Sequence, residues 1–396
     1  MSDLPTPARA LRSAALFIVL LSVVDLFADF TYEGARSAAG PFLALLGASG
    51  TVVGVVAGLG ELLGYSLRLV SGTMADRTRR YWPIAALGYA VNLFSVPLLA
   101  LCGHLPAAVA LLLAERTGRA IRAPARDAML SHAAHRTGRG WGFGLHEAMD
   151  QTGAVLGPLA VAAALASGRG YRVGFGMLAV PAVLAVGVLM VARRLFPRPD
   201  RLEVRRLEGR PEGLRSAYWM FLACAGLLAA GFADFSLMAF HLHKALHLEP
   251  ASIAVYYALG MGVHALSALA FGRLYDAKGL KILAAGIAVS IFSAPLVFAG
   301  RGAQALAGIA AWGVGLGAVE SLMRAAVADM SPARRRGAAY GIFNFGYGLL
   351  WFAGSALMGC LYDRSIAALV AFSVAAQAAA LPLVFIAHRR LQAERA

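Results

Sequence analysis

The chain has 396 residues, enough for two or three soluble domains, but 59% of them are hydrophobic and only 14% are charged. Soluble globular proteins average about 45–50% apolar and about 25% charged residues, so this composition excludes that class. The apolar residues form long runs, and a helix of roughly 20 such residues spans a bilayer. The sequence therefore predicts an all-α integral membrane protein.

The formal net charge of +15 does not require a nucleic-acid partner. Most Lys and Arg residues fall in alternate connections and in the two tails, which follows the positive-inside rule and assigns both termini to the cytoplasmic side. The first apolar segment contains two Asp residues and no small-residue cleavage site after its core, so we interpret it as a retained span and not a signal peptide. Cys102, Cys224 and Cys360 are widely spaced and form no disulfide or metal motif.

Apolar segments follow one another along the whole chain and predict about twelve transmembrane helices. The predicted spans are 13–35, 50–71, 81–102, 105–127, 140–163 and 171–192 in the first half, and 216–240, 251–273, 280–299, 302–326, 337–361 and 365–387 in the second. Residues 193–215 hold eight arginines and three prolines and predict a basic cytoplasmic linker. We expect two six-helix bundles, residues 1–192 and 216–396, related by pseudo-two-fold symmetry.

Short motifs that recur in matched positions support this duplication. The stretch from Gly72 to Arg80, which contains Asp76, returns 200 positions later as an imperfect copy that contains Gly272 and Asp276. Phe-Ala-Asp-Phe at 27–30 recurs at 232–235, and Arg126 near the end of span 4 matches Arg324 near the end of span 10. Repeated helix bundles with a binding site between them are a common plan of transporters.

Gly72-x-x-x-Asp76-Arg77-x-x-Arg80, between spans 2 and 3, resembles the signature turn of the major facilitator superfamily. Its degenerate partner lies between spans 8 and 9, where that family also keeps one. The resemblance covers nearly the whole chain, and it implies a secondary active transporter that works by alternating access.

Two further motifs refine the resemblance. In span 5, Gly153-x-x-x-Gly157-Pro158 is similar to the start of the motif of the family's drug:proton antiporters, with Val161-Ala162 in place of the glycine pair that follows the proline. In span 4, Arg116 lies near an arginine that the family often keeps, without the surrounding Gln-Gly pattern. The span 5 motif implies export.

The glycine-led turn also has a physical interpretation of its own. Gly72 permits a close backbone approach or a positive φ where the helix ends. Asp76 can accept hydrogen bonds from nearby arginines or from a helix N-terminus at the cytoplasmic edge. If its partners lie on the other bundle, the turn acts as a latch that holds the cytoplasmic side closed. The alternative is an ordinary basic loop, which we favour for Arg79.

Several ionisable residues fall inside the predicted spans, where each costs roughly 2.5–3.5 kcal/mol on insertion scales and so needs a partner, an aqueous cavity or a task. Asp25 and Glu61 fall near the middle of spans 1 and 2, with Arg116 and Arg68 as their nearby cations, and we predict a proton or substrate role for both.

Other ionisable residues leave two roles open. Asp29 and its repeat Asp234 fit a structural role as well as a functional one. His264, near the middle of span 8, can titrate near neutral pH or serve as a hydrogen-bonded packing residue.

Span 4 carries a continuous basic face, because its arginines are spaced three, three and four residues apart. They are Arg116, Arg119, Arg122 and Arg126. Span 5 carries His146, Glu147 and Asp150 at the same depth, and we expect Glu147 and Asp150 to neutralise Arg119 and Arg122. Glu320 and Arg324 in span 10 are four apart and are expected to pair. A charge-paired scaffold is favoured over a direct substrate role for the span 4 and span 5 groups.

These groups predict proton-coupled efflux, or antiport, of a small organic molecule, because a carboxylate shielded from water can bind a proton on one side and release it on the other. The acids of the first half favour cationic or amphiphilic substrates. Two alternatives stay open. One is a proton symporter that imports an organic anion bound by Arg116 and Arg324, and the other is an exporter of divalent metal ions bound by the oxygens of Asp25, Asp29 and Glu61.

No set of nucleophile, base and orienting group emerges from the sequence, so we do not expect an enzyme. We expect no cofactor and no resident metal, with the proton gradient as the energy source. The expected partners are the small-molecule substrate, protons and the lipid bilayer, without nucleic acid. We expect a monomer in a bacterial inner (cytoplasmic) membrane.

Overall fold

The computed structural model describes residues 7–137, 139–197, 214, 216–331 and 336–393, and within these ranges its regular elements are helices. The helices are α1 (Pro7–Leu45), α2 (Gly50–Thr78), α3 (Tyr81–Leu98), α4 (Leu105–Thr137), α5 (Arg139–Ala166), α6 (Gly170–Gly176), α7 (Ala179–Leu195), α8 (Ser216–Gly231), α9 (Phe235–Lys244), α10 (Pro250–Lys278), α11 (Leu283–Ser290), α12 (Ala303–Met330), α13 (Arg336–Arg364) and α14 (Ile366–Ala393). A π-helical turn, Pro295–Ala299, follows α11. The predicted all-α class is confirmed.

In the described part of the chain, eleven helical stretches are long and apolar enough to cross a membrane. Each overlaps one of the predicted spans. The remaining predicted span, 105–127, lies on α4, which has 33 residues. Its length suffices for a crossing, but Glu115 and the four arginines of its basic face lower its hydropathy. This helix can lie at membrane depth only if those charges are paired or hydrated.

The first span is longer than the predicted 13–35. The Gly40-Pro41 pair is typical of a helix end, but α1 continues through both residues to Leu45. The missing side chain of Gly40 lets α1 lie against the backbone of α9 at Ser236 and Phe240. Arg36 therefore lies inside the span, where the sequence analysis had placed a connection.

Two of the predicted spans are each made of two helices. Residues 170–195 divide into α6 and α7, and residues 216–244 divide into α8 and α9. At the second break, Asp234 caps α9, and its side chain accepts a hydrogen bond from the Ser236 amide at 2.8 Å. The cap satisfies one of the amides that a helix start leaves without a backbone partner.

The predicted turn at Gly72 is a helical segment. Gly72 lies within α2, which ends six residues later, and the positive φ of 54° belongs to Arg79. The copy in the second half behaves alike, because Gly272 lies within α10 and Gly279 has a φ of 69°. Gly72 lies beside Pro124 of α4, and Gly272 lies beside Ser321 of α12. Both glycines thus serve helix packing, and neither ends its helix.

The gating side chains of this segment are only partly described. Arg77 and Arg80 are exposed, whereas the side chains of Asp76 and Asp276 lie outside the described set. The latch stays a prediction.

Backbone contacts divide the chain into two compact units. The first unit contains Met1–Ala35, Leu67–Cys102 and Ala110–Leu207, and the second contains Arg36–Ser66, Gly103–Val109 and Glu208–Ala396. The boundary passes through α1, α2 and α4, so the second unit includes the later part of α1 and the earlier part of α2. The predicted division into bundles 1–192 and 216–396, with the linker 193–215, stays a prediction.

Each unit has its own packed interior. In the first unit, α1, α3, α4 and α7 bury apolar residues such as Phe17, Tyr89 and Leu189. In the second unit, α12 lies close to α10 because Gly313 and Gly317 bring its backbone against Gly260 and His264. Small residues allow such close helix contacts in membrane proteins.

Candidate functional site

Glycines bring four helices of the first unit together around one buried site. On α5, Gly153 lies against the backbone of α1 at Leu26, and Gly157 lies against the carbonyl of Phe30. On α4, Gly118 lies against the backbone of Asn92 on α3. A side chain at any of these positions would collide with a neighbouring backbone. The glycines of the antiporter-like motif thus position α5 beside the acids of α1.

Asp25 is the centre of this site and is fully buried. Its Oδ1 accepts hydrogen bonds from the Tyr89 hydroxyl at 2.7 Å and from Nη1 of Arg122. Its Oδ2 lies 2.9 Å from Nη1 of Arg126. Both carboxylate oxygens therefore have a cationic partner, which holds this side chain in one position.

The other arginines of α4 continue the contacts along α1. Nη2 of Arg122 lies 3.7 Å from Asp29, and Nη1 of Arg119 lies 3.9 Å from Glu33. The guanidinium of Arg119 also lies over the ring of Tyr32, 4.2 Å from its centroid. Arg122 is only 2% exposed, so its charge depends on these protein partners.

His146 and Asp150 of α5 complete the cluster. Nε2 of His146 lies 3.6 Å from Asp25 Oδ2 and 3.7 Å from Asp150 Oδ2. Three buried atoms have no hydrogen-bond partner within the described residues: both ring nitrogens of His146 and the Oδ1 of Asp150. Arg126 lies 4.0 Å from Asp150. One imidazole nitrogen therefore lies between two carboxylates, slightly beyond hydrogen-bond distance of each.

The expected pairing of Glu147 and Asp150 with Arg119 and Arg122 is wrong. Arg119 and Arg122 contact acids of α1, and Asp150 lies nearest His146 and Arg126. Glu147 instead accepts a hydrogen bond from Gln151 at 3.1 Å. The expectation matched depths along the helices but ignored which face of α4 is turned toward α1.

The cations expected near Asp25 and Glu61 are also corrected. The structure places Arg122 and Arg126 against Asp25, and Arg116 lies 3.4 Å from its neighbour Glu115. Glu61 is paired with Arg36 of α1, and its expected proximity to Arg68 stays a prediction.

Arg36 forms the charge cluster of the second unit. Its Nη2 lies 3.0 Å from Oε1 of Glu61 and 3.3 Å from Oδ2 of Asp234. Asp234 uses its other oxygen to cap α9. This cluster joins α1, α2 and α9.

His264 and Glu320 meet elsewhere in the second unit. Nε2 of His264 lies 3.1 Å from Oε2 of Glu320. The side chain of Arg324, the expected partner of Glu320, lies outside the described set. His264 is therefore hydrogen-bonded to an acid on α12, which fits either of its two expected roles.

One group of side chains has metal-ligand character in the part of the chain that the structure describes. Ligand atoms of Asp25, His146 and Asp150 lie within 4.8 Å of one another. However, Arg126 contacts the same Asp25 oxygen at 2.9 Å, and a cation placed there would be repelled by its guanidinium. The geometry does not favour the metal-exporter alternative.

Sequence reasoning missed Arg36, Glu33 and Tyr89. Arg36 follows Asp25 by eleven residues, which is about three helical turns and places both on one face. That signal was missed because the predicted first span ended at residue 35, whereas α1 continues to Leu45. Tyr89 carries no charge, and nothing in the sequence marks it.

The sequence is similar to a known family profile and to several bacterial and archaeal proteins. Residues 21–355 match the sequence profile described as Major Facilitator Superfamily. Uncharacterized proteins of Mycobacterium bovis and Mycobacterium tuberculosis are each 43% identical over 384 residues, covering 95% of this chain and 94% of the relative. An uncharacterized MFS-type transporter of Methanocaldococcus jannaschii is 30% identical over 146 residues, or 37% of this chain and 36% of the relative.

Solved transporters share the fold at low sequence identity. The nucleoside transporter NupG has a TM-score of 0.75 at 12% identity, covering 93% of this chain and 99% of NupG. A peptide transporter POT has a TM-score of 0.74 at 18% identity, covering 94% and 93%. A bacterial homolog of the human lysosomal transporter Spinster has a TM-score of 0.70 at 15% identity, covering 95% and 96%. The chain therefore belongs to the Major Facilitator Superfamily and is a membrane transporter, not an enzyme.

Proposed function

We propose that this transporter exchanges protons for a small organic molecule and that the cluster around Asp25 is its proton-binding site. The observation that supports this is an excess of acids over arginines. Among the described residues, the arginines within 4.0 Å of the three carboxylates of Asp25, Asp29 and Asp150 are Arg122 and Arg126. Two guanidinium groups cannot neutralise three carboxylates that are shielded from water, so a bound proton would stabilise the third.

Asp150 and His146 are the proton carriers in this proposal. Asp25 is held by Tyr89 and two arginines and acts as the fixed anion. Asp150 has its nearest described arginine at 4.0 Å, whereas an arginine lies 2.9 Å from Asp25. Protonation of Asp150 therefore disrupts fewer ion pairs than protonation of Asp25.

Arg126 links the buried acids to the surface of the unit. It contacts buried Asp25 and also Asp127, whose side chain is 56% exposed, at 2.9 Å in each case. When a proton neutralises Asp150, Arg126 is attracted less to the interior and its balance shifts toward Asp127. This exchange of partners connects proton binding to a movement of α4 relative to α5.

The direction and the substrate class belong to the same proposal. The glycines Gly153 and Gly157 with Pro158 support efflux, as in the antiporters whose motif they resemble. Acids that outnumber arginines favour a cationic or amphiphilic substrate over an organic anion, whose binding would require Arg116 to leave Glu115, 3.4 Å away. We further propose a monomer in a bacterial inner membrane, both termini cytoplasmic, driven by the proton gradient without a cofactor. The mycobacterial relatives support a bacterial membrane.

Vesicles that contain the purified protein and a pH-sensitive dye test the proposal. With an acidic interior, addition of organic cations from a screening panel is expected to drive protons out of the vesicles. Asp150→Asn is expected to abolish this flux, whereas Glu249→Gln, an exposed acid at the start of α10, should leave it unchanged. Normal coupled flux in Asp150→Asn would refute the proton role of this cluster.

A further inference from the structure

Glu320 combines a position in a spanning helix with an exposed carboxylate. It lies within the span Ala303–Val327, yet its side chain is 43% exposed. An ionised carboxylate that faced lipid would be strongly unfavourable. The exposed part of Glu320 therefore faces water, while its Oε2 is held by the buried His264.

An aromatic wall adjoins this carboxylate in the second unit. The Tyr347 ring contacts the Tyr65 ring edge-on, with centroids 5.2 Å apart, and the Trp351 ring at 5.5 Å. Phe232, whose ring lies 5.8 Å from that of Trp351, packs beside Gly315 of α12, five residues before Glu320. Carboxylates beside aromatic faces attract organic cations through charge and through the ring quadrupole.

The packing of α2 on α13 determines which residue of α13 lies beside Glu61. Gly58 lies against Phe352 and Ser355, and Gly348 lies against Tyr65. The residue numbers rise on α2 as they fall on α13, so the helices run antiparallel. Glu61 therefore lies level with Trp351, between the two contacts.

Trp351 supplies an independent sign of a ligand. Its indole N–H is buried, since the residue is only 5% exposed, yet it has no hydrogen-bond partner within the described residues. One helical turn further, the buried hydroxyl of Ser355 also has none in the same set. A buried donor without an acceptor is costly and is usually paired by an acceptor from protein, water or ligand.

We propose that Glu320, Tyr347, Tyr65 and Trp351 form the recognition site for an aromatic organic cation. The Glu320 carboxylate binds the positive charge, the tyrosine rings stack on the apolar body, and Trp351 donates to an acceptor of the ligand. This inference rests on the proposed function, in which the cargo is a cationic organic molecule.

The site shares no residue with the proton cluster of the first unit. Substrate and proton therefore do not compete for one acid. Exchange then requires that proton and substrate favour different conformations of the same chain.

Rhodamine 6G and fluorescein test the charge selectivity, because both are xanthene dyes and they differ in the sign of their charge. Fluorescence anisotropy of the purified full chain is expected to show saturable binding of rhodamine 6G and none of fluorescein. Glu320→Gln should weaken rhodamine binding by about tenfold or more, the loss expected for one charged contact. Glu249→Gln is the matched control and should bind as the wild type does.

The aromatic wall has its own matched pair. Tyr347→Leu should weaken rhodamine binding several-fold, whereas Tyr347→Phe keeps the ring and should bind as the wild type does. The proposal is overturned if the wild type binds no rhodamine saturably, if fluorescein binds equally well, or if Glu320→Gln binds normally.

Asp150→Asn separates this inference from the proposed proton exchange. It should bind rhodamine 6G normally while it loses coupled proton flux. Loss of dye binding in Asp150→Asn would mean that proton and substrate share a site and would overturn the inference. Intact flux in Asp150→Asn, with dye binding lost in Glu320→Gln, would refute the proton cluster and leave the recognition site standing.

Discussion

Asp29 and Asp234 occupy equivalent positions in the Phe-Ala-Asp-Phe repeat, yet their surroundings differ. Asp29 faces Arg122 at 3.7 Å within a cluster where several acids share several arginines. Asp234 is fixed twice, by the α9 cap at 2.8 Å and by Arg36 at 3.3 Å. In the first unit, the acids and arginines lie close enough to exchange partners. In the second unit, helix geometry fixes the pairing, so Asp234 is suited to a structural role.

The largest expected effect is on stability, and it differs between Arg122 of the first unit and Arg36 of the second. Arg122→Met would leave Asp25 and Asp29 short of a cation in a fully buried site, and the free energy of unfolding should fall by about 3–5 kcal/mol. Arg36→Met should cost less, about 1–3 kcal/mol, because its side chain is 17% exposed and water can replace part of its charge. Reversible unfolding in mixed micelles measures both.

Arg169→Met, at an exposed position before α6, serves as the control and should have little effect. An equal loss for Arg122 and Arg36 would contradict the distinction between a buried and a partly hydrated cluster.

Packing of α5 on α1 gives the second prediction. Gly153→Ala would place a methyl group against the Leu26 carbonyl and should destabilise the protein by about 1–3 kcal/mol. It should also move Asp150 away from Asp25 and lower coupled flux. Gly144→Ala on the same helix has open space and should be neutral or slightly stabilising, since Ala is the better helix former.

Thermal unfolding of the two alanine variants checks this pair. Similar melting temperatures for Gly153→Ala and Gly144→Ala would show that α5 can shift to accept the methyl group.

Substitutions of Asp234 and Asp29 should have smaller effects, on stability for Asp234 and on proton coupling for Asp29. Asp234→Ala removes a helix cap and should cost about 0.5–2 kcal/mol of stability, whereas Asp234→Ser keeps a capping oxygen and should recover part of it. Asp29→Ala should change proton coupling more than stability. Paired measurements of unfolding and vesicle proton flux distinguish the two roles, and equal profiles for Asp29 and Asp234 would argue that the repeat keeps one function.

Sequence alone predicted the helical class, nearly all the spans and the chemistry of the α4 basic face. It did not predict which partners meet, because pairing depends on the rotation of each helix about its axis. Asp25 illustrates this, since its partners come from α3 and α4 at positions that no local pattern connects to it. Arg36 was missed for another reason. The predicted first span ended at residue 35, whereas α1 continues to Leu45 and packs on α9 at Gly40.

The smallest expected effect lies at the ends of the two matched helices. Arg79 and Gly279, 200 positions apart, have φ values of 54° and 69°, a region in which side chains other than glycine are strained. Arg79→Gly should therefore stabilise the first unit by up to about 1 kcal/mol, and Gly279→Ala should destabilise the second by about 1 kcal/mol. Opposite shifts in melting temperature would show that both helix ends require a positive φ, although only one copy kept the glycine. Shifts of the same sign would mean that local contacts outweigh the effect of the positive φ at one of the two ends. At Gly279, an added Cβ would lie 3.3 Å from the ring of His388.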